Sequence, residues 1–207
     1  MNPDTELKEY QLRLDKYNCL ELIDEYDVVV DCTDNFSSRY MINDACVLKN
    51  KPVVFAAVSM FEGQVAVFNV SRKEKQNSGN YRDLFPEQPE QGEVMNCAEA
   101  GVLGVLPGII GSIQASEVIK LITGTGEPLI NQLLTYNTTD NRSFIFTYNQ
   151  NQTASKSPSN EKEFHEMMYD LECVNNQQFE IDVERFDEIL LKKNTLFIDV
   201  REPNELP

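Results

Sequence analysis

Residues 27–43 read Asp27-Val-Val-Val-Asp-Cys-Thr-Asp-Asn-Phe-Ser-Ser-Arg-Tyr-Met-Ile-Asn43, and the character of the chain changes twice within them. Val28, Val29 and Val30 are apolar and β-branched, which predicts a strand buried on both faces. A polar segment, residues 31–35, follows at once and is called the elbow below. Apolar residues then recur at helical spacing. The stretch therefore predicts a buried strand, a polar elbow and a helix.

The elbow and the helix carry side chains that suit a magnesium nucleotide. In open α/β sheets, ligands bind just outside the carboxyl ends of the strands, where the elbow lies. Asp34 can give a carboxylate to Mg²⁺, and Arg39 can give a guanidinium to phosphate. Asn35, Arg39 and Asn43 share one helix face because they are four residues apart. From spacing alone, however, the simpler interpretation is favoured, in which Asp34 only caps the helix and Arg39 is a surface cation.

Two motifs give the chain a family resemblance. The first is Asp31-Cys-Thr-Asp-Asn-Phe-x-x-Arg-x-x-x-Asn43, followed by residues 52–57 and Glu62-Gly-Gln64; the second is Cys97-Ala-Glu-Ala-Gly-Val-Leu-Gly-Val-Leu-Pro-Gly-Ile-Ile-Gly-Ser-Ile-Gln-Ala115. In this order they resemble the ThiF/MoeB/HesA family of E1-like adenylyltransferases, which activate ubiquitin-like sulfur-carrier proteins. The resemblance implies a Rossmann-like, doubly wound α/β sheet with an antiparallel extension.

The resemblance also implies roles for particular residues. Asp34 would be catalytic and hold Mg²⁺, while Asn35, Arg39 and Asn43 would contact ATP or hold the elbow. Cys97 would be either a nucleophile toward the acyl-adenylate or a small buried thiol, and both interpretations are kept. The partners would be a sulfur carrier that ends in Gly-Gly and a second copy of the chain.

Two parts of the family pattern are missing from this sequence. The family's Gly-rich phosphate loop precedes the Asn-Pro that stands here as Asn2-Pro3, and no GxGxxG occurs. We therefore expect an amino-terminally truncated enzyme that is inactive by itself. Many members also bind structural zinc through two CxxC pairs, but the first pair's positions hold Asn80 and Asp83, and residues 148–152 contain no Cys. This excludes a four-thiolate site, and we predict no zinc.

Composition narrows the class of protein. The formal net charge of −16 argues against nucleic-acid binding, which needs a basic face. The cysteines are odd in number and form no CxxC pair, which favours a reducing cytoplasm over a disulfide framework: Cys19, Cys32, Cys46, Cys97 and Cys173. No signal peptide or membrane span is evident, so we expect no membrane partner.

The remaining patterns predict further elements and a domain order. We expect a strand over 9–14, a helix over 20–26, strands over 51–57 and 63–69 (the second leaning toward a sheet edge), an irregular loop over 71–95, a helix over 109–122 that is buried in the chain or against a second subunit, a hairpin over 132–136 and 142–148, and a short helix over 164–174. His165 is expected to be an ordinary surface residue.

We assign residues 1–150 to the adenylyltransferase part, 151–176 to a linker and 177–207 to the start of a rhodanese-like domain. Thr195-Leu-Phe-Ile-Asp-Val-Arg-Glu-Pro-Asn-Glu205 resembles the opening strand of such a domain, and the sequence ends before its active-site Cys loop would occur. A rhodanese-like start after an adenylyltransferase part favours the activation of a sulfur carrier in molybdopterin, thiamine or tRNA-thiolation pathways over ubiquitin-type protein tagging.

Two functions of other classes stay open. A nicotinamide-dependent oxidoreductase would explain the Rossmann-like sheet pattern, but it leaves the Cys97 motif unexplained. A non-catalytic module that only binds a carrier protein would explain the missing nucleotide loop.

Overall fold

The computed structural model describes residues 4–71, 78–89, 101–150 and 157–169. The helices and strands within these ranges are α1 (Cys19–Asp24), β1 (Val29–Asp31), α2 (Phe36–Leu48), β2 (Val53–Ser59), β3 (Glu62–Phe68), α3 (Tyr81–Leu84), α4 (Leu106–Thr123), β4 (Gln132–Asn137), β5 (Arg142–Thr147) and α5 (Glu161–Glu166). The strand–elbow–helix unit and the hairpin β4–β5 are therefore confirmed.

The strands form one sheet in the order β1-β2-β3-β4-β5. β1 and β2 run parallel, with Val30 opposite Val54, and the later pairs are antiparallel. The parallel pair brings the carboxyl ends of β1 and β2 to the same edge, next to the elbow. The predicted α/β sheet with an antiparallel extension is confirmed, although β3 lies between β2 and β4 rather than near an edge.

Helices cover both faces of this sheet because its strands alternate inward and outward side chains. Along β3, Ala66 and Phe68 join a cluster with α1, α2 and α3 on one face. Val65 and Val67 face the other way and pack against Leu106 of α4. The sheet therefore divides the core into two halves. The elbow lies at the carboxyl end of β1, at the edge of the sheet between these halves.

Two strand predictions were wrong, and both errors concern missing neighbours. Residues 9–14 are irregular and largely exposed, because no strand in the described ranges offers them main-chain hydrogen bonds. β1 was expected to be buried on both faces. Within the described ranges, however, β2 is the one strand that pairs with it, and Val30 is 44% exposed. Alternation and apolar runs reveal a preference for extended backbone but not whether a partner strand is present.

The predicted loop over 71–95 contains a packed segment. Residues 78–89 include the short helix α3, whose Tyr81 is buried with its ring 5.0 Å from that of Tyr40. The Tyr40 hydroxyl lies 2.9 Å and 2.7 Å from the main-chain oxygens of Phe85 and Glu87. The segment has no sequence periodicity because it is held by contacts with α2 rather than by a regular pattern of its own.

Helix α4 turns some of its polar side chains inward and some apolar ones outward. Leu106, Ile110, Gln114 and Glu117 are buried. Ile119 and Ile122 are 59% and 70% exposed in a single chain. The helix is therefore confirmed. It is only partly buried within a single chain, and its burial against a second subunit stays a prediction.

One compact unit extends to Tyr169, and its last helix within the described ranges is α5. This helix starts and ends earlier than predicted, and Phe164 is fully buried. His165 is exposed, as expected, with its ring 6.1 Å from that of Tyr17. Residues 170–207 lie outside the described ranges, so the rhodanese-like start stays a prediction. Within those ranges, no helix combines the length and apolar character needed to cross a bilayer.

Candidate functional site

The elbow is a turn held by the carboxylate at the end of β1. Asp31 is buried, and its Oδ1 accepts hydrogen bonds from the main-chain N–H of Thr33 at 2.9 Å and from the Thr33 hydroxyl at 2.7 Å. Burial raises the pKa of Asp31, although the Thr33 hydrogen bonds and the charge of Arg39 act in the opposite direction. Through these two hydrogen bonds, Asp31 stabilises the turn of the elbow.

Asn35, and not Asp34, caps helix α2. The Asn35 side chain accepts a hydrogen bond from the main-chain N–H of Ser38 at 2.8 Å, and the Asn35 backbone is extended, as expected of an N-cap. Asp34 is exposed, and Asn35 Nδ2 donates to its carboxylate at 3.4 Å. The simpler interpretation of Asp34 as only a cap is therefore wrong, and its carboxylate is accessible.

Arg39 is a buried cation at the base of the elbow. It is only 7% exposed, its Nη2 donates to the main-chain oxygen of Thr33 at 3.1 Å, and its Cζ lies 5.6 Å from the ring centroids of both Phe36 and Phe55. Its Nε is buried and has no hydrogen-bond partner among the described residues. Buried donors are rarely left unpaired, so this atom requires an acceptor from outside the described residues, a role that a ligand or water can fill.

Asp34 and Arg39 both line a cavity of about 190 Å³. It lies between the carboxyl ends of β1 and β2 and the amino-terminal half of α4, and residues 56–58, Pro107 and Ile110 supply apolar walls. A carboxylate and a guanidinium thus flank a narrow, mainly apolar space. Such a space can hold a small or thin ligand. The guanidinium would bind an anionic group of that ligand, and the carboxylate would bind a cation associated with it.

Asn35 and Asn43, the other two predicted nucleotide-binding residues, do not line this cavity. Asn43 is buried, its Oδ1 accepts the main-chain N–H of Tyr81 at 2.8 Å, and its Nδ2 donates to Asp44 at 3.1 Å. Asn43 therefore acts between α2 and α3. Asn35 acts at the start of α2.

Gln114 of α4 belongs to the site and was missed as a site residue from sequence. It is 4% exposed, and its Nε2 donates to the main-chain oxygens of Asp31 at 2.8 Å and Val54 at 2.9 Å. Its Oε1 accepts from the Cys32 thiol at 3.5 Å. One amide thus ties α4 to β1 and β2. The available signal was a lone amide in the apolar helix of the second motif.

The cavity also contains a thiol. Cys32 lines it, and burial together with the negative charge of Asp31 raises the Cys32 pKa, so the group is a neutral thiol near pH 7. Cys97 lies outside the described residues, and its role stays a prediction. The described ranges hold no group of three or more His, Cys, Asp and Glu placed to bind a metal. A magnesium ion here would therefore rely on Asp34 and on oxygens of its ligand.

Comparison with known proteins places these features in a family. The model of the ThiF family matches residues 1–162. The chain is 48% identical over 136 residues to the sulfur carrier protein adenylyltransferase of Thermus thermophilus, covering 66% of this chain and 50% of the relative. It is 44% identical over 140 residues to the SAMP-activating enzyme E1 of Haloferax volcanii, covering 68% and 50%.

A third relative and a solved structure complete the comparison. The chain is 45% identical over 136 residues to the probable adenylyltransferase/sulfurtransferase MoeZ of Mycobacterium tuberculosis, covering 66% of this chain and 34% of the relative. The chain thus spans half or less of the length of these relatives. The crystal structure of E. coli MccB with MccA is similar with a TM-score of 0.59 at 18% identity, covering 74% of this chain and 46% of that one. At that identity the likeness supports the fold alone.

Proposed function

The chain belongs to the ThiF family, and on that basis we propose that it is part of an E1-like adenylyltransferase that activates the terminal glycine of a ubiquitin-like sulfur carrier with ATP. The observation that carries the proposal is that Asp34 and Arg39 line the same cavity. The substrate class comes from the relatives, whose names include a sulfur carrier protein adenylyltransferase and a SAMP-activating enzyme E1.

In the proposed reaction, the carboxylate of the carrier's last glycine attacks the α-phosphate of ATP, and pyrophosphate leaves. Arg39 is suited to bind the anionic groups, because it lines the cavity and its Nε has no partner within the described part of the chain. The apolar walls at residues 56–58 and Ile110 would limit access of water to the acyl-adenylate.

The accessible carboxylate of Asp34 at the cavity fits a magnesium ion. Asn35 takes over the capping of α2, which leaves the Asp34 carboxylate exposed beside the cavity. When bound, Mg²⁺ supplies neutralisation of the charge that develops on the phosphates. Gln114 would hold the carboxyl ends of β1 and β2, and with them the elbow, at a fixed position relative to α4. Asn35 and Asn43 support the site by holding α2 in place.

Family membership favours this function over the two alternatives. The oxidoreductase alternative rested on the Rossmann-like sheet pattern, which the ThiF family also accounts for. The non-catalytic module would use the same cavity to hold a carrier tail without adenylating it.

We also propose a cytoplasmic location. The free thiols Cys19, Cys32 and Cys46 within the described ranges support it.

A pyrophosphate-exchange assay tests the proposal. We expect the natural full-length protein, given ATP, Mg²⁺ and a sulfur carrier ending in Gly-Gly, to exchange labelled pyrophosphate into ATP. Removing the last glycine of the carrier should abolish exchange, because the tail then ends in a carboxylate that lies one residue short of the α-phosphate. Carrier-independent exchange, or hydride transfer to a nicotinamide, would contradict the proposal. Carrier binding without exchange would favour the non-catalytic module.

We further propose that the protein is a homodimer, which the exposed apolar side chains Ile119 and Ile122 of α4 support. Light scattering of the natural full-length protein is expected to give twice the mass of one chain. An Ile122→Lys variant should shift toward the monomer, since a charge would enter an apolar interface. The control Glu127→Lys changes an exposed residue shortly after the same helix and should leave the mass unchanged. A monomeric wild-type protein would refute this proposal.

A further inference from the structure

The two chain segments at which the family resemblance implies a zinc lie side by side in this protein. Gln150 Nε2 donates to the main-chain oxygen of Ser78 at 3.0 Å. A Cβ atom built on Gly79 would lie 2.6 Å from Cε2 of Tyr148, so the Gly79 backbone lies directly against that ring. The segment that precedes α3 and the segment that follows the hairpin β4–β5 are therefore in contact.

The side chains at this place do not fit a structural zinc. Such sites need four thiolate or imidazole ligands, whereas the positions of the first Cys pair hold Asn80 and Asp83. Both side chains already have partners. Asn80 Oδ1 accepts the main-chain N–H of Arg82 at 2.8 Å, and Asp83 Oδ2 accepts the main-chain N–H of Asn80 at 2.8 Å. Together they form the capping box of α3.

Further hydrogen bonds link residues 78 and 79 to the chain just after β3 and just before β4. The main-chain N–H of Gly79 donates to Oδ1 of Asn131, just before β4, at 2.8 Å. The main-chain N–H of Asn69, just after β3, donates to the oxygen of Gly79 at 3.0 Å. The Ser78 hydroxyl oxygen accepts the N–H of Val70 at 2.8 Å. Main-chain groups of residues 78–80 therefore have partners near β3, near the hairpin and within α3.

We infer that a polar clasp, formed by Ser78, Gly79, Asn80, Asp83, Asn131 and Gln150, replaces the metal and fastens the segment 78–89 to the sheet without zinc. Amide groups and main-chain groups carry out the cross-linking that thiolates and a metal perform elsewhere. The attachment then depends on neither metal supply nor thiol oxidation. It positions Tyr81 and Arg82, the two buried side chains of α3, against α2.

Asn131 is the residue at which the clasp can be tested. Its backbone is left-handed, with φ at 57°, so alanine would add strain at this position and confuse the result. Glycine tolerates that backbone but removes the acceptor, and aspartate tolerates it while keeping an Oδ1 acceptor. The pair Asn131→Gly and Asn131→Asp therefore isolates the hydrogen bond to Gly79.

The decisive measurements are native-state hydrogen exchange and metal analysis on the full chain. In Asn131→Gly we expect the Gly79 amide to exchange about tenfold faster, with Asn131→Asp within about twofold of the wild type. Amides of β3 should change less than the Gly79 amide. The wild-type protein should contain no stoichiometric zinc, and a chelator should leave its Tm unchanged. Unaltered Gly79 exchange in Asn131→Gly, or one zinc per chain whose removal lowers the Tm, would overturn the inference.

Discussion

The Asp34→Asn variant of the natural full-length protein is expected to fold like the wild type and to lose about a hundredfold or more of its carrier-dependent pyrophosphate exchange. Asparagine keeps the shape of the side chain but removes its charge, and a neutral amide is a poor ligand for Mg²⁺. Because Asn35 caps α2, the change should leave the helix start intact. Exchange is measured at saturating carrier, and folding is measured by thermal denaturation.

Two control variants separate metal binding from other effects. Asn35→Ala removes the cap and should cost about 1 kcal/mol of stability with a smaller effect on exchange. Cys97→Ala should leave acyl-adenylate formation intact and affect only a later thioester or persulfide step. A normal exchange rate in Asp34→Asn would remove the residue on which the proposed function chiefly rests.

Replacing Asp44 by alanine should give the largest loss of stability, about 3–5 kcal/mol in the free energy of unfolding. Arg82 Nε and Nη2 donate to the two Asp44 oxygens at 2.8 Å and 2.7 Å, and both side chains are almost fully buried. The Tyr169 hydroxyl donates to the same carboxylate at 2.9 Å. Without Asp44, the Arg82 charge and the Tyr169 hydroxyl would stay in the core without this acceptor.

Urea denaturation of matched variants measures this effect. Asp44→Asn keeps one acceptor oxygen at the site and should lose less than Asp44→Ala. Lys49→Ala removes an ion pair whose Glu161 partner is largely exposed, so it should cost at most about 1 kcal/mol. Equal, small losses for Asp44→Ala and Lys49→Ala would show that the buried pair contributes little to folding.

Local patterns were sufficient for the elements that are complete within a short stretch. The helical spacing after Phe36 specifies α2 because its main-chain hydrogen bonds join near neighbours, whereas the valines indicate the extended backbone of β1 but not its pairing with β2. The hairpin β4–β5 was likewise predictable, since Asn141 adopts the left-handed backbone of its turn. The motifs also led to Asp34 and Arg39, which the structure brings to one cavity.

Contacts between distant parts of the chain account for what could not be predicted. Gln114 binds the main chain of Asp31, 83 residues earlier, and no local pattern indicates that contact. Arg82 pairs with Asp44 across 38 residues, which is why the segment around α3 looked like an irregular loop. For α4, composition shows an apolar helix, but only packing against β2 and β3 reveals that Gln114 and Glu117 face inward.

The hydroxyl of Tyr169 has a consequence for the order in which the chain is built. Asp44 leaves the ribosome 125 residues before Tyr169, which at 5–20 residues per second is roughly 6 to 25 s. Arg82 emerges in between and can pair with Asp44 as soon as α2 and α3 meet. During synthesis, Arg82 is therefore available to neutralise the Asp44 carboxylate before Tyr169 can donate its hydroxyl hydrogen bond.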